Sequence, residues 1–350
     1  MKDSDQMYMP RRVRPSIGRN SVIVAFVLVA LCGTVALPGE DTSQSYSPQP
    51  NAFSPLAPLE SLDAAKVALG ERLFHDPILS GRGKLSCSGC HNLKTGGTVR
   101  LPRTIGYDGR VHAFNAPTIF NVGNNYRLGW RGKFTSLAVQ NEAVLADPGL
   151  MAADWPTLLS RLTQDVIYLA AFRQHYGSAP TRDSVLDALV QFQKSLATPN
   201  APFDRFLMGD KDALSLSEKQ GLTLFAEYGC VSCHQGANIG GNMFQIFGVF
   251  GPPDTGAMPT PLDRDKRLPV PDGEEDVFRV PSLRNVEVTA PYFHDGSAPT
   301  LREAIAVMGR SQLGRELTES DIEALHAFLK SLTGEYNGKR LSTDIIETSR

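Results

Sequence analysis

The chain has 350 residues, 41% hydrophobic and 21% charged, an ordinary globular balance long enough for two domains. Its 35 basic and 37 acidic residues leave a net charge of −2 with no basic stripe, so nucleic acid is not an expected partner. The 31 Gly and 24 Pro imply long ordered loops between the secondary elements.

At the N-terminus, Lys2, Arg11, Arg12, Arg14 and Arg19 precede an apolar run from Val22 to Leu37, interrupted by Gly33 and Thr34. A basic region followed by such a run predicts a secretory signal over residues 1–36, with Thr34-Val35-Ala36 offering small residues for cleavage after Ala36. The other reading is an N-terminal anchor, for which the run is short. Arg11-Arg12 fits a twin-arginine signal, although export as an unfolded chain is the favoured reading. Cys32 follows Leu31, a poor residue before a lipidated cysteine. Residues 37–56 read as a linker, and the expected location is the periplasm.

Beyond the signal four cysteines remain, Cys87, Cys90, Cys230 and Cys233. In an exported protein four cysteines are compatible with two disulfides, but here each pair has the form Cys-x-x-Cys-His, ending in His91 and His234. Thiols at this spacing add to the two vinyl groups of a haem, and the adjacent imidazole reaches the iron. A zinc site made of both pairs needs no histidine directly after each. Two covalent c-type haems are expected.

Helical spacing precedes both motifs, over Ala65–Phe74 and again over Glu218–Phe225, and the motifs lie 143 residues apart. This pattern resembles a duplicated cytochrome c unit. Segments 158–174 and 184–196 also predict helices, as does a short stretch from Leu301 to Met308. Ile322, Leu325, Phe328, Leu329 and Leu332 form the single apolar stripe of a C-terminal packing helix. No alternating strand pattern of any length appears, and Gly251 to Glu275 reads as a loop. The expected fold is mainly α, with two cytochrome c-like haem domains, 57–200 and 201–335, long ordered loops, and a tail at 336–350.

The stretches LGERLFHDPILSGRGKLSCSGCHN, FNAPTIFNV, PFDRFLMGD, GLTLFAEYGCVSCHQGANIGGN, FRVPSLRNVEVTAPYFHDG and AVMGRSQLG resemble the bacterial di-haem cytochrome c peroxidases and their MauG-like relatives, over roughly residues 57–335. The resemblance implies that the haem on Cys230, Cys233 and His234 transfers electrons, with Met308 as its sixth ligand. A thioether favours iron(II) and raises the potential. It implies that the haem on Cys87, Cys90 and His91 receives peroxide, that Trp130 relays electrons between the two, and that Gln140 belongs to the peroxide site. It also implies a calcium ion between the haems at Asn115, Thr289 and Pro291, oxygen donors of the kind calcium takes.

Three positions depart from the family pattern. Where the resting peroxidase has a loop histidine, this chain has Tyr107, which reads as a phenolate ligand, a hydrogen-bond donor above the iron, or a solvent-facing loop residue. His112 nearby is a substitute ligand. Leu150 stands where the family has the glutamate that moves a proton between the peroxide oxygens, leaving Asp147, Glu142, Tyr107 or a water held by Gln140 for that task. Arg131 replaces an aspartate beside Trp130, a charge change that makes the tryptophan harder to oxidise.

Three functions follow. The first is a peroxide-dependent oxidase of a partner protein, as in the MauG/MbnH-like branch, although MauG itself uses tyrosine at the Met308 position. The second is a peroxidase reducing hydrogen peroxide with electrons from a small cytochrome c or a cupredoxin. The third is a non-enzymatic di-haem electron carrier. A homodimer is compatible with the family.

Overall fold

The computed structural model describes residues 52–56, 61–252 and 277–342. The expected signal, most of the linker, nearly all of the 251–275 loop and the end of the tail lie outside these. Ten helices appear among the described residues: α1 Ala64–His75, α2 Cys87–Cys90, α3 Leu137–Ala146, α4 Trp155–Gln164, α5 Val166–Tyr176, α6 Arg182–Ser195, α7 Pro202–Leu207, α8 Leu216–Glu227, α9 Leu301–Val307 and α10 Glu319–Lys330. Strand structure is confined to two antiparallel ribbons, β1 Phe244–Ile246 with β2 Val277–Arg279, and β3 Glu335–Tyr336 with β4 Lys339–Arg340. The fold is mainly α, as expected. No helix of the described residues is long and apolar enough to cross a membrane.

Local chemistry explains most helix ends. Ser136, Asp154, Thr181, Ser215, Thr300 and Thr318 cap α3, α4, α6, α8, α9 and α10 by accepting backbone N–H groups that no helical carbonyl reaches. The single helix expected over 158–174 is two helices. Asp165 adopts an extended conformation and its carboxylate accepts the N–H groups of Ile167 and Tyr168, ending α4 and starting α5. The apolar stripe of α10 is buried as predicted, from Ile322 at 7% exposed to Phe328 and Leu332 at 0%.

Two hydrophobic cores form. One gathers residues from α1, α4, α5 and α6, including Leu73, Phe74, Leu162, Phe172 and Phe192. The other gathers Phe203, Phe225, Ile305 and Phe328 from α7 to α10, with Leu332 just beyond. Phe53, inside the expected linker, belongs to the second core, where its ring lies 5.3 Å from Phe203. Tyr336, the first residue of the expected tail, reaches the first core and packs 5.1 Å from Phe120.

The cores are built on the same helix crossing. A Cβ on Gly70 of α1 would stand 1.9 Å from the Ala188 carbonyl oxygen of α6, and a Cβ on Gly221 of α8 would stand 1.9 Å from that of Ala324 of α10. Only glycine permits either approach. Phe192 and Phe328 sit beside these glycines in the two crossings.

The repeat continues in two asparagines. Asn121 and Asn285 adopt left-handed φ of 58° and 61°, a conformation asparagine tolerates, and each opens a short turn. Their backbone N–H groups donate to the carbonyls of Leu196 and Leu332, the residues that close α6 and follow α10. Both side chains meet at Thr198, whose hydroxyl accepts from Asn121 Nδ2 at 2.7 Å and from Asn285 Nδ2 at 2.9 Å. One buried threonine thus joins the two halves.

Candidate haem sites

Each Cys-x-x-Cys-His motif folds into one tight turn. The N–H of His91 donates to the Cys87 carbonyl and that of His234 to the Cys230 carbonyl, both at 2.9 Å. The four cysteines are free thiols. Burial pushes the thiols of Cys87 and Cys230 up to about 12, which keeps them protonated. The two histidines are oriented alike: Nδ1 of His91 lies 3.3 Å from the Gly97 carbonyl and Nδ1 of His234 lies 3.3 Å from the Ile239 carbonyl. The Pro117 and Pro281 carbonyls also face these rings. With Nδ1 donating, Nε2 keeps its lone pair, the tautomer that binds a metal. Burial lowers the pKa of both imidazoles, that of His234 to about 4, so the ligand form is neutral.

This donor set fits covalent haem: paired free thiols, then a buried imidazole with its outer nitrogen already fixed. It does not fit zinc, because no three His, Cys, Asp or Glu side chains among the described residues converge on a metal position.

Met308 directly follows α9 and opens a π-helical turn over Met308–Gln312 rather than ending a plain α-helix. Such turns interrupt a helix and often mark functional positions. Met308 is half-buried and lies outside the hydrophobic core that its neighbours Ala304, Ile305 and Val307 join or flank.

Trp130 sits on a tight hairpin closed by the pairing of Leu128 with Phe134. Its Nε1–H donates to the Asn115 carbonyl at 2.8 Å, and its own carbonyl accepts the Arg279 N–H at 2.8 Å. The hairpin is therefore tied to segments from both halves of the chain. The His294 ring lies 6.4 Å from the indole and stacks on Phe278 at 4.1 Å. Arg131 has its guanidinium 4.3 Å over the Phe278 ring and donates to the Val277 carbonyl. The buried cation hydrogen-bonded to the Trp130 hairpin is instead Arg279, which no motif in the sequence singles out.

Tyr107 is 7% exposed, so it is not a solvent-facing residue. Its hydroxyl is buried and has no hydrogen-bond partner. Its N–H donates to the Gly149 carbonyl at 3.1 Å, and the preceding Gly106 packs against Gly149 and Leu150. Tyr107 and Leu150, the two departures from the family pattern, are thus neighbours. The other acids near Leu150 are engaged. Asp147 accepts the Gly149 N–H at 2.7 Å, and Glu142 pairs with Arg182, which holds its carboxyl below the usual range. His112 accepts the Phe114 N–H at Nδ1, at 3.2 Å. Gln140 lies in the first turn of α3, half-buried. The next residue, Asn141, exchanges two 2.8 Å amide hydrogen bonds with Gln193, which locks α3 onto α6.

Asn115 is buried, and its N–H donates to the His294 carbonyl at 2.7 Å, beside the loop that carries Thr289 and Pro291. Its Nδ2 donates to the Leu101 carbonyl at 2.8 Å, which leaves Oδ1 as an amide oxygen suited to calcium. The Ala290–Pro291 peptide is cis.

Comparison with known proteins agrees with this construction. A sequence profile of the di-haem cytochrome c peroxidase family matches residues 64–212. Cytochrome c551 peroxidase of Nitrosomonas europaea is 38% identical over 288 residues, covering 81% of this chain and 85% of that protein. Methylamine utilization protein MauG of Methylorubrum extorquens is 30% identical over 311 residues, 82% of each chain. Among solved structures, a MauG-like protein associated with microbial copper homeostasis superposes with a TM-score of 0.68 at 28% identity, covering 81% of this chain and 93% of that one. With both attachment motifs, their supporting carbonyls and the shared fold in place, the chain belongs to the bacterial di-haem cytochrome c peroxidase and MauG family and is a peroxidase-type oxidoreductase.

Proposed function

We propose that this enzyme reduces hydrogen peroxide at the haem of Cys87, Cys90 and His91, in the periplasm, without prior reduction of the protein. Electrons would come from a small cytochrome c or a cupredoxin; Cys230, Cys233, His234 and Met308 would hold the haem that supplies the entry point, and Trp130 would serve as the relay. The observation that carries this reading is the asymmetry of the two sites. Half-buried Met308 opens a π-helical turn after α9, whereas Tyr107 carries a buried hydroxyl without a hydrogen-bond partner, which supports a thioether ligand in one half and an open site in the other.

When bound, haem supplies the iron at which the peroxide O–O bond breaks and the electrons that reduce it. The chain supplies the rest. His91 and His234 hold their outer nitrogens fixed through Nδ1. Gln140, on a helix pinned by Asn141 and Gln193, orients the small oxygen ligand. The Tyr107 hydroxyl takes over the proton movement that Leu150 cannot perform, since Asp147 and Glu142 are committed to other partners. Calcium at Asn115, Thr289 and Pro291 would brace the Trp130 hairpin, whose indole is bonded to Asn115.

The test is Tyr107→Phe in the holoprotein. Removing an unpartnered hydroxyl leaves fold and haem content intact, while the reaction of the diferric protein with peroxide slows roughly a hundred- to ten-thousand-fold. Wild-type reactivity in this variant would remove Tyr107 from the mechanism. Peroxide-inert wild-type protein with two six-coordinate haems would leave only electron carriage.

A second reading, peroxide-driven oxidation of a partner protein, is favoured by the likeness to the MauG-like protein above. It predicts a rapid peroxide reaction that no reduced cytochrome c or cupredoxin carries to turnover.

A further inference from the structure

Arg279 is a buried cation whose partners are all neutral. It ends β2 and is 4% exposed. Its backbone N–H donates to the Trp130 carbonyl at 2.8 Å, Nε to the Gly129 carbonyl at 3.2 Å, and one terminal nitrogen to the Val280 carbonyl at 3.4 Å. Those bonds leave the other terminal nitrogen for an acceptor that the described residues do not provide. Burial lowers the guanidinium to about 10, with no acidic group among the described residues to oppose it.

The same short stretch contains a control. Arg284 is also buried, and it has its acid: Asp204 at 2.8 Å, with both side chains at most 2% exposed. Burying a charge is costly unless it is paired. One of the two arginines meets that requirement among the described residues, and the other finds no anion there.

The surroundings identify the source. Gly241, in the loop that follows His234, donates its N–H to the Val280 carbonyl, and a Cβ on it would lie 3.7 Å from the Arg279 guanidinium. Pro281, two residues beyond Arg279, turns its carbonyl toward the His234 ring. The guanidinium therefore borders the crevice of the C-terminal haem on one side and the Trp130 hairpin on the other. Haem brings two carboxylates of its own, and a planar guanidinium suits a carboxylate.

We propose that Arg279 is a carboxylate-binding residue that holds a propionate of the C-terminal haem against the Trp130 hairpin. The inference rests on the two-haem reading above and extends it to a residue that positions haem and tryptophan together. A fixed positive charge beside the haem favours its iron(II) state, so Arg279 also raises the potential of the electron-entry haem.

The test is a spectroelectrochemical titration at pH 8 of wild-type, Arg279→Gln and Arg279→Lys holoproteins. The midpoint of the His234/Met308 haem is expected to fall in Arg279→Gln, with Arg279→Lys between it and wild type and the His91 haem moving less. An unchanged or raised midpoint in Arg279→Gln, or a shift confined to the His91 haem, overturns the assignment. If Arg279→Gln does not accumulate with both haems, the propionate bending band in resonance Raman spectra decides: it shifts between wild type and Arg279→Lys, or the assignment falls. Failure of the underlying reading would look different, since the wild-type protein would then lack two c-type haems or a methionine-ligated spectrum.

Discussion

The two halves of this molecule are built alike behind their histidines and differently at the positions expected to face the iron from the other side. Gly70 and Gly221, Phe192 and Phe328, Asn121 and Asn285, and the carbonyls that face His91 and His234 correspond one for one. Against that shared frame, the C-terminal half offers Met308 in a π-helical turn, and the N-terminal half offers a buried, unpartnered Tyr107 beside Leu150. The lesson is about tolerance. Holding an imidazole by a backbone carbonyl fixes a whole loop, so duplication preserves it, whereas a sixth ligand depends on one side chain and changes freely.

The sharpest difference between the halves is the buried Arg284–Asp204 pair, which also accepts the Leu56 N–H and so ties residues 52–56 to the C-terminal core. Asp204→Ala leaves a guanidinium buried without its acid and is expected to cost about 3–5 kcal/mol, read from the urea midpoint of the holoprotein. A loss under about 1 kcal/mol would mean that the apolar core, not the ion pair, holds this half together.

The sharpest likeness is the helix crossing. Gly70→Ala and Gly221→Ala each drive a methyl group into a backbone carbonyl and should each cost about 3 kcal/mol, by the same measurement. Near-equal losses support a common frame. A large inequality would show that one crossing has room to relax, and the correspondence would then be one of shape only.

The smallest effect separates the halves by pH. Arg182 depresses the carboxyl of Glu142, on α3, below its ordinary value of 4.5. Because the folded value lies under the unfolded one, the pair stabilises the fold above about pH 4.5 and loses that contribution as pH falls through the lowered value. Thermal midpoints of wild type and Glu142→Gln should therefore differ slightly at pH 7 and converge once the pH lies below the lowered value. A gap that persists at low pH would assign Glu142 a packing role instead.

Much of the site was legible in the sequence because covalent chemistry demands contiguous residues. Cys87, Cys90 and His91, and Cys230, Cys233 and His234, had to lie within one turn each, and the turns form as expected. The stripe of α10 was legible for a similar reason, since a helix repeats its buried face at fixed spacing. Asp165 was missed because an aspartate within an apolar period also reads as a surface helix residue, and only its extended backbone makes it a cap for two helices. Asn121 and Asn285 were discoverable: APTIFNV and VPSLRNV align, proline to proline and asparagine to asparagine, at a separation of 164 residues. Arg131 drew notice because it replaces an acid next to Trp130. Arg279 did not, because it is remote in sequence and reaches that tryptophan through a single backbone hydrogen bond.

The sequence by itself determined the cofactor class, the mainly helical fold and the two Cys-x-x-Cys-His turns, all properties of local spacing. Tertiary structure decided what those spacings leave open. It buried Tyr107 beside Leu150, committed Asp147 and Glu142 elsewhere, joined both asparagines at Thr198, and set Arg279, without an acid among the described residues, near Arg284 with one. Whether a polar group is satisfied depends on neighbours far along the chain, and burial makes that pairing decisive because water is no longer there to substitute.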